Sequence, residues 1–122
     1  MILIIGGRYQ GRHRFANTLS GTGQVIDTAF ATVMERLQTD LGETLGSLPE
    51  AELLTVTEGI IKQLLPQWQQ DTLILEESGS GIIPTDRDSR MAGWVNGCLN
   101  RMLAAQAEAV YRVFCGLGYR LD

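Results

Sequence analysis

The chain opens on an unbroken apolar run, Met1, Ile2, Leu3, Ile4 and Ile5, that ends on Gly6 and Gly7. Consecutive apolar residues rich in isoleucine fit a strand buried on both faces, whereas a strand half in water would alternate apolar with polar. Such a strand belongs in the middle of a sheet. Residues 11–20 then carry helix-compatible Arg, Phe, Ala and Leu, and Ser20, Gly21, Thr22 and Gly23 supply the small residues that stop a helix. Buried strand, glycine turn and helix in that order point to parallel strands joined by helical crossovers.

The remainder of the chain keeps that alternation. Residues 24–28 form a second short strand candidate, and residues 29–41 place Phe30, Val33, Met34, Leu37 and Leu41 at spacings of three and four. Two glycines mark residues 42–48 as a loop, after which Pro49 suits the first turn of a helix. The stripe of that helix, Leu53, Val56, Ile60, Ile61, Leu64 and Leu65, reaches Pro66, although β-branched content within residues 54–56 leaves a short strand open there. Residues 71–77 read as a strand centred on Leu73, Ile74 and Leu75, with Gly79 and Gly81 just beyond it. Residues 87–108 read as one long helix and residues 109–115 as the next strand. Gly116 and Gly118 punctuate its end, leaving residues 119–121 as a short edge strand. The expected fold class is α/β, a three-layer sandwich with a mainly parallel sheet and helices on both faces. In such folds ligands sit at the carboxyl ends of the strands.

A length of 122 residues supports one core, so residues 1–122 are expected to form a single domain. With 44% hydrophobic and 20% charged residues the chain lies outside the disordered range. A net charge of -4 offers no broad positive field for nucleic acid. The apolar start is too short for a signal peptide core or a membrane span, so a cytoplasmic protein without a membrane partner is expected. Cys98 and Cys115 are expected to be buried, reduced thiols.

Gly6, Gly7, Arg8, Tyr9, Gln10, Gly11, Arg12 and His13 carry the glycine spacing of a Walker A loop, GxxxxGK[ST], between strand and helix. In a working loop the backbone amides wrap the phosphates, a lysine reaches the terminal phosphates, and a Ser or Thr hydroxyl binds Mg²⁺. Here Arg12 stands in the lysine position, where its guanidinium can still pair with phosphate oxygens. His13 stands in the hydroxyl position, and imidazole suits hard, oxygen-seeking Mg²⁺ poorly. The plainer alternative is a tight turn from strand to helix with no ligand.

A second signature begins at Glu76 and runs through Glu77, Gly79, Gly81, Ile82, Ile83 and Pro84 to Arg90. It resembles the NEVGxGIVPxxxxxR stretch of the adenosylcobinamide kinase/adenosylcobinamide-phosphate guanylyltransferase family. The similarity continues through Gly97, Asn100, Leu103, Ala104, Ala105, Ala107 and Val110 to Gly116 and Gly118. Ile4, Ile5, Gly6, Gly7 and Gly11 also resemble that family's TGGxxSGKS opening. The resemblance implies a P-loop NTPase-like fold, reduced in size, that binds a purine nucleotide, GTP or ATP, and acts on cobinamide in cobalamin biosynthesis. It implies a phosphate role for Gly6, Gly7, Gly11 and Arg12.

The same comparison implies weakened chemistry. Arg36, Leu37, Gln38 and Thr39 resemble the family's RIxxH helix, whose histidine receives GMP, but Thr39 stands in the histidine position. A threonine hydroxyl is a far weaker nucleophile at neutral pH. The family's LLxC strand and NLL helix are absent or reduced to Leu53, Leu54, Thr55 and Gln63, Leu64, Leu65, with Thr55 replacing the acid of the strand. The expectation is a nucleotide-binding, homo-oligomeric relative with reduced or lost catalysis. Its binding residues would be Gly6, Gly7, Arg8, Gln10, Gly11, Arg12, His13 and Glu77, with no dedicated metal site. The alternatives are a non-catalytic scaffold that keeps the fold, and an enzyme in which Arg12 and His13 do new work.

Several other side chains carry two readings each. Glu76 and Glu77 close a strand near the expected crevice but point to opposite faces, so they make no natural acid/base pair. One of them, Glu77 on the resemblance, would orient nucleotide or bind metal; the plain alternative is a solvated strand end. Arg87 and Arg90 share a helix face and either approach a phosphate or pair with Asp86 or Asp88. Trp68 and Trp94 are either stacking platforms or core and interface aromatics.

Overall fold

The computed structural model describes residues 1–19, 23–77 and 86–122. Its elements, in chain order, are β1 (Ile2–Gly6), α1 (Arg12–Thr18), β2 (Val25–Ile26), α2 (Ala29–Leu41), α3 (Glu50–Leu64), β3 (Thr72–Glu76), α4 (Arg87–Gln106), β4 (Ala109–Phe114) and β5 (Leu117–Arg120), with short 3-10 turns at Gly42–Gly46 and Leu65–Trp68. The strands form one sheet in the order β2-β3-β1-β4-β5. β1 pairs in parallel with β3 on one side and β4 on the other, β2 runs parallel to β3, and β5 returns antiparallel to β4. The apolar opening of the chain is thus the central strand, as its pattern predicts.

Side-chain alternation divides the sheet between two cores. Met1, Leu3, Leu73, Leu75 and Val110 point to the face covered by α2, α3 and α4, where they meet Val33, Leu37, Leu53, Ile61, Leu99 and Leu103. Ile4, Ile74 and Val113 point the other way, to Ala16 and part of Phe15 on α1. The expected layering, with helices on both faces, holds, but the layers are unequal.

Several boundaries and alternatives are corrected by the structure. The strand left open at residues 54–56 is helix throughout, in the middle of α3. Helical spacing overrides the β-branched residues because Leu53, Thr57, Ile60, Ile61 and Leu64 all bury along one stripe. Thr57 is fully buried and donates its hydroxyl to the Leu53 carbonyl at 2.8 Å, which satisfies the one polar group in that stripe. The edge strand starts at Leu117 instead of residue 119 because Cys115 and Gly116, both at positive φ, close a two-residue hairpin turn. The loop at residues 42–48 contains a 3-10 turn that buries Leu45. The helix stop at residues 20–22 and the glycines Gly79 and Gly81 lie outside the described residues. Among the described residues, no helix is long and apolar enough to cross a membrane.

Candidate functional site

The glycine loop leaves the carboxyl end of the central strand, where the chain passes from β1 to α1 on one face and from β3 to α4 on the other. Strand ends at such a divergence leave a crevice in open α/β sheets. Gly6 is confined there by its neighbours: a Cβ would stand 2.7 Å from the Val113 carbonyl oxygen. The stem of Arg12 lies just beyond, its Cγ and Cδ 3.4 Å from the same point, so this side chain folds back over the tip of β1. Tyr9 and Gly11 both take positive φ, 62° and 89°, turning the chain sharply before α1 begins. Tyr9 is fully exposed.

The loop is fastened to the β4–β5 hairpin through Gln10. Its backbone carbonyl accepts from the Gly116 amide at 2.8 Å, and its side-chain oxygen accepts from the Cys115 amide at 2.7 Å. A Cβ on Gly11 would stand 3.2 Å from the Gly116 Cα, so the two glycines are in close register. These contacts hold the loop in place without drawing on its arginines.

A cavity of about 380 Å³ lies against this loop, lined by Arg8, Tyr9, Gly11, Arg12, His13 and Arg14. Its charge is uneven in availability. Arg8 stands 3.5 Å from Glu76, and His13 Nε2 is 2.9 Å from the Asp27 carboxylate. Among the described residues Arg12 and Arg14 make no ion pair. Three arginines bordering one recess give it a local positive charge in a chain whose net charge is -4.

The structure therefore brings Arg8, Gly11, Arg12 and His13 together at the cavity, while Gly6, Gly7 and Gln10 support it from outside the lining. Glu77 is elsewhere engaged. It points to the face opposite Glu76 and forms a two-pronged ion pair with Arg112 of β4, at 2.8 and 3.1 Å, spanning the tip of β1. Its amide also donates to the Gly6 carbonyl at 3.0 Å. The Glu76 carbonyl accepts from Asn96 at 2.9 Å, with Asn100 close behind at 3.3 Å, so α4 helps to fix the end of β3.

Other expectations change. Trp68 is buried in the core and offers no stacking surface, while Trp94 lies half-buried with the Arg87 guanidinium 5.8 Å from its ring. Arg87 donates to the Leu48 carbonyl and pairs with neither Asp86 nor Asp88. Cys98 is buried as expected, and burial pushes its thiol pKa up; Cys115 is exposed because it sits in the hairpin turn. Thr39 lies exposed on α2, and Thr55 bonds within α3 to the Ala51 carbonyl. Tyr9 and Arg14 also line the cavity, although neither occupies a defining position of the motif. The available signal was local charge, since Arg8, Arg12 and Arg14 crowd one short segment.

A scan against protein-family models matches none, and a search of curated proteins finds no significant relative.

Proposed function

We propose that this chain is a nucleotide-binding protein that holds the phosphates of GTP or ATP over the tip of β1, a diverged and shortened relative of the cobinamide kinase/guanylyltransferases with reduced or lost catalysis. The observation that carries the reading is a recess beside the glycine loop bordered by Arg8, Arg12 and Arg14, with Arg12 and Arg14 unpaired among the described residues. Guanidinium forks match phosphate oxygens in geometry as well as charge. A parallel sheet whose central strand feeds a glycine turn is also the setting that a phosphate loop requires.

The reading of weakened chemistry follows from the donor set. His13 is hydrogen-bonded to Asp27, and the loop carries no hydroxyl where Mg²⁺ would find one. Among the described residues no three His, Cys, Asp or Glu side chains gather as a metal site. Without that hydroxyl the loop does not fit the usual Mg²⁺ partner of a nucleotide site, so phosphate binding is assigned to the arginines and the loop backbone, and no transfer step is assigned to the metal.

Calorimetric titration with GTP and ATP, with and without Mg²⁺, tests the proposal. Binding is expected in both conditions, and Arg12→Ala is expected to weaken it by about 1.5 to 3 kcal/mol, the scale of a hydrogen bond to a charged group. Absence of heat at millimolar nucleotide would remove the reading. Unchanged affinity in the variant would move the phosphates away from the loop.

A further inference from the structure

Among the described residues, most of the large apolar side chains that the fold leaves exposed belong to the β4–β5 hairpin and the residue that follows it. Phe114, Leu117, Tyr119 and Leu121 are each more than half exposed. Register places them on one face. Phe114 stands opposite Leu117 and Arg112 opposite Tyr119, and all share the face of Val110, beyond the cover of α4. The other face of the hairpin is occupied: Phe15 of α1 packs over Gly118, and Arg120 lies over the Tyr111 ring.

β5 is also the edge of the sheet, and its outward hydrogen-bonding groups can be assigned. The Leu121 amide donates to the Val110 carbonyl at 2.8 Å. In an antiparallel ladder bonded pairs alternate with unbonded ones, so Leu121, Tyr119 and Leu117 turn their amides and carbonyls inward to β4. Gly118 and Arg120 turn theirs out. β5 has neither a proline nor a lysine to discourage pairing.

We propose that β5 pairs with β5 of a second copy of this chain, antiparallel and about a two-fold axis at Tyr119, making one continuous sheet. The occupant is identified by the symmetry of the strand itself. Reading outward from Tyr119, Gly118 and Arg120 flank it, then Leu117 and Leu121. A two-fold at Tyr119 sets the outward groups of Gly118 against those of the partner's Arg120, which is the pairing needed for reciprocal backbone hydrogen bonds. Leu117 then meets the partner's Leu121, and the two Tyr119 rings meet on the axis. These form one apolar row on the face that α4 leaves open. Arg120 faces a glycine, so no like charges oppose each other across the seam. Because Gln10 ties the phosphate loop to this hairpin, dimerisation would also brace the loop.

Sedimentation equilibrium over a wide concentration range tests the proposal on the whole chain. The expected species is a dimer that dissociates on dilution. Tyr119→Glu and Tyr119→Lys each set like charges face to face on the axis and are expected to sediment as monomers, with circular dichroism unchanged because the side chain is exposed. Mixing the two variants is expected to restore the dimer, since residue 119 faces itself. A parent chain that stays monomeric at every concentration would overturn the proposal and leave β5 for a strand of another protein. So would variants that dimerise as well as the parent, or a mixture that fails to recover.

Discussion

On one face of the sheet α2, α3 and α4 bury Leu3, Leu73, Leu75 and Val110 in a continuous core; on the other, the seven-residue α1 covers Ile4, Ile74 and Val113 with Ala16 and part of Phe15. Hydrophobic stabilisation follows the area removed from water, so the two layers cannot contribute equally. The heavier layer carries the fold. The lighter one leaves the end of β1 and its glycine loop open to solvent, on the side where Arg12 and Arg14 stand without ion partners among the described residues. On the proposed reading the nucleotide would bind where little core has to be interrupted.

The largest expected effect tests that inequality directly. Leu99 is fully buried on α4, and Leu99→Ala is expected to lower the unfolding free energy by about 2–5 kcal/mol, measured by urea denaturation. Phe15→Ala on the lighter face removes a larger side chain, yet its ring is only partly buried, and the loss is expected to stay below about 3 kcal/mol, the floor for a buried phenylalanine. Equal losses at the two positions would break the comparison.

The next effect concerns how the lighter face holds its loop. Gly6→Ala would drive a methyl group against the Val113 carbonyl, a backbone atom that cannot rotate away, and is expected to cost about 1–3 kcal/mol. Gly7→Ala is the control. Among the described residues its Cβ would meet only Gln10 Cγ, at 3.7 Å, and its φ is not positive, so stability should be unchanged or raised by up to about 1 kcal/mol. If both alanines behave alike in denaturant titrations, close approach at Gly6 is not what shapes the loop.

Much of this architecture was legible because periodicity and burial agree. The apolar run of β1 carries one set of side chains to each core, and the stripe from Leu53 to Leu64 shows a helical period that local β-propensity could not overrule. The turn from β1 into α1 was legible from the glycines at positions 6, 7 and 11. What the sequence could not show is contact between distant segments. Gln10 meets Cys115 across 105 positions, and Glu77 meets Arg112 across 35, through pairings that only the strand order creates. Neither solitary residue has a neighbour pattern that announces its partner. Trp68 was legible as a core aromatic only from its residue type, because it sits in a 3-10 turn without helical or strand period.

The smallest expected effect separates the starts of two helices, one from each layer. α1 opens on Gly11 with no side-chain cap, whereas α4 opens on Asp86, whose carboxylate accepts from the Ser89 amide at 2.9 Å. That amide hydrogen bond, with the Ser89 side chain, holds the Asp86 pKa below its ordinary value. With the folded value depressed, the unfolded chain binds more protons in the interval between the two values, so stability rises with pH there. The contribution is complete above the unfolded carboxylate value and disappears as the pH falls through the folded one. Asp86→Ala should therefore lower the melting temperature slightly at neutral pH, with the gap to the parent closing in acid. Asp86→Asn should stay near the parent at neutral pH, because asparagine caps as well as aspartate, and should lose that pH dependence. A gap between Asp86→Ala and the parent that persists below the folded carboxylate value would show that the charge of the cap contributes nothing. The start of α4 would then be held by the hydrogen bond of a neutral carboxyl, and only a gap that is absent at neutral pH as well would leave it as weakly fastened as that of α1.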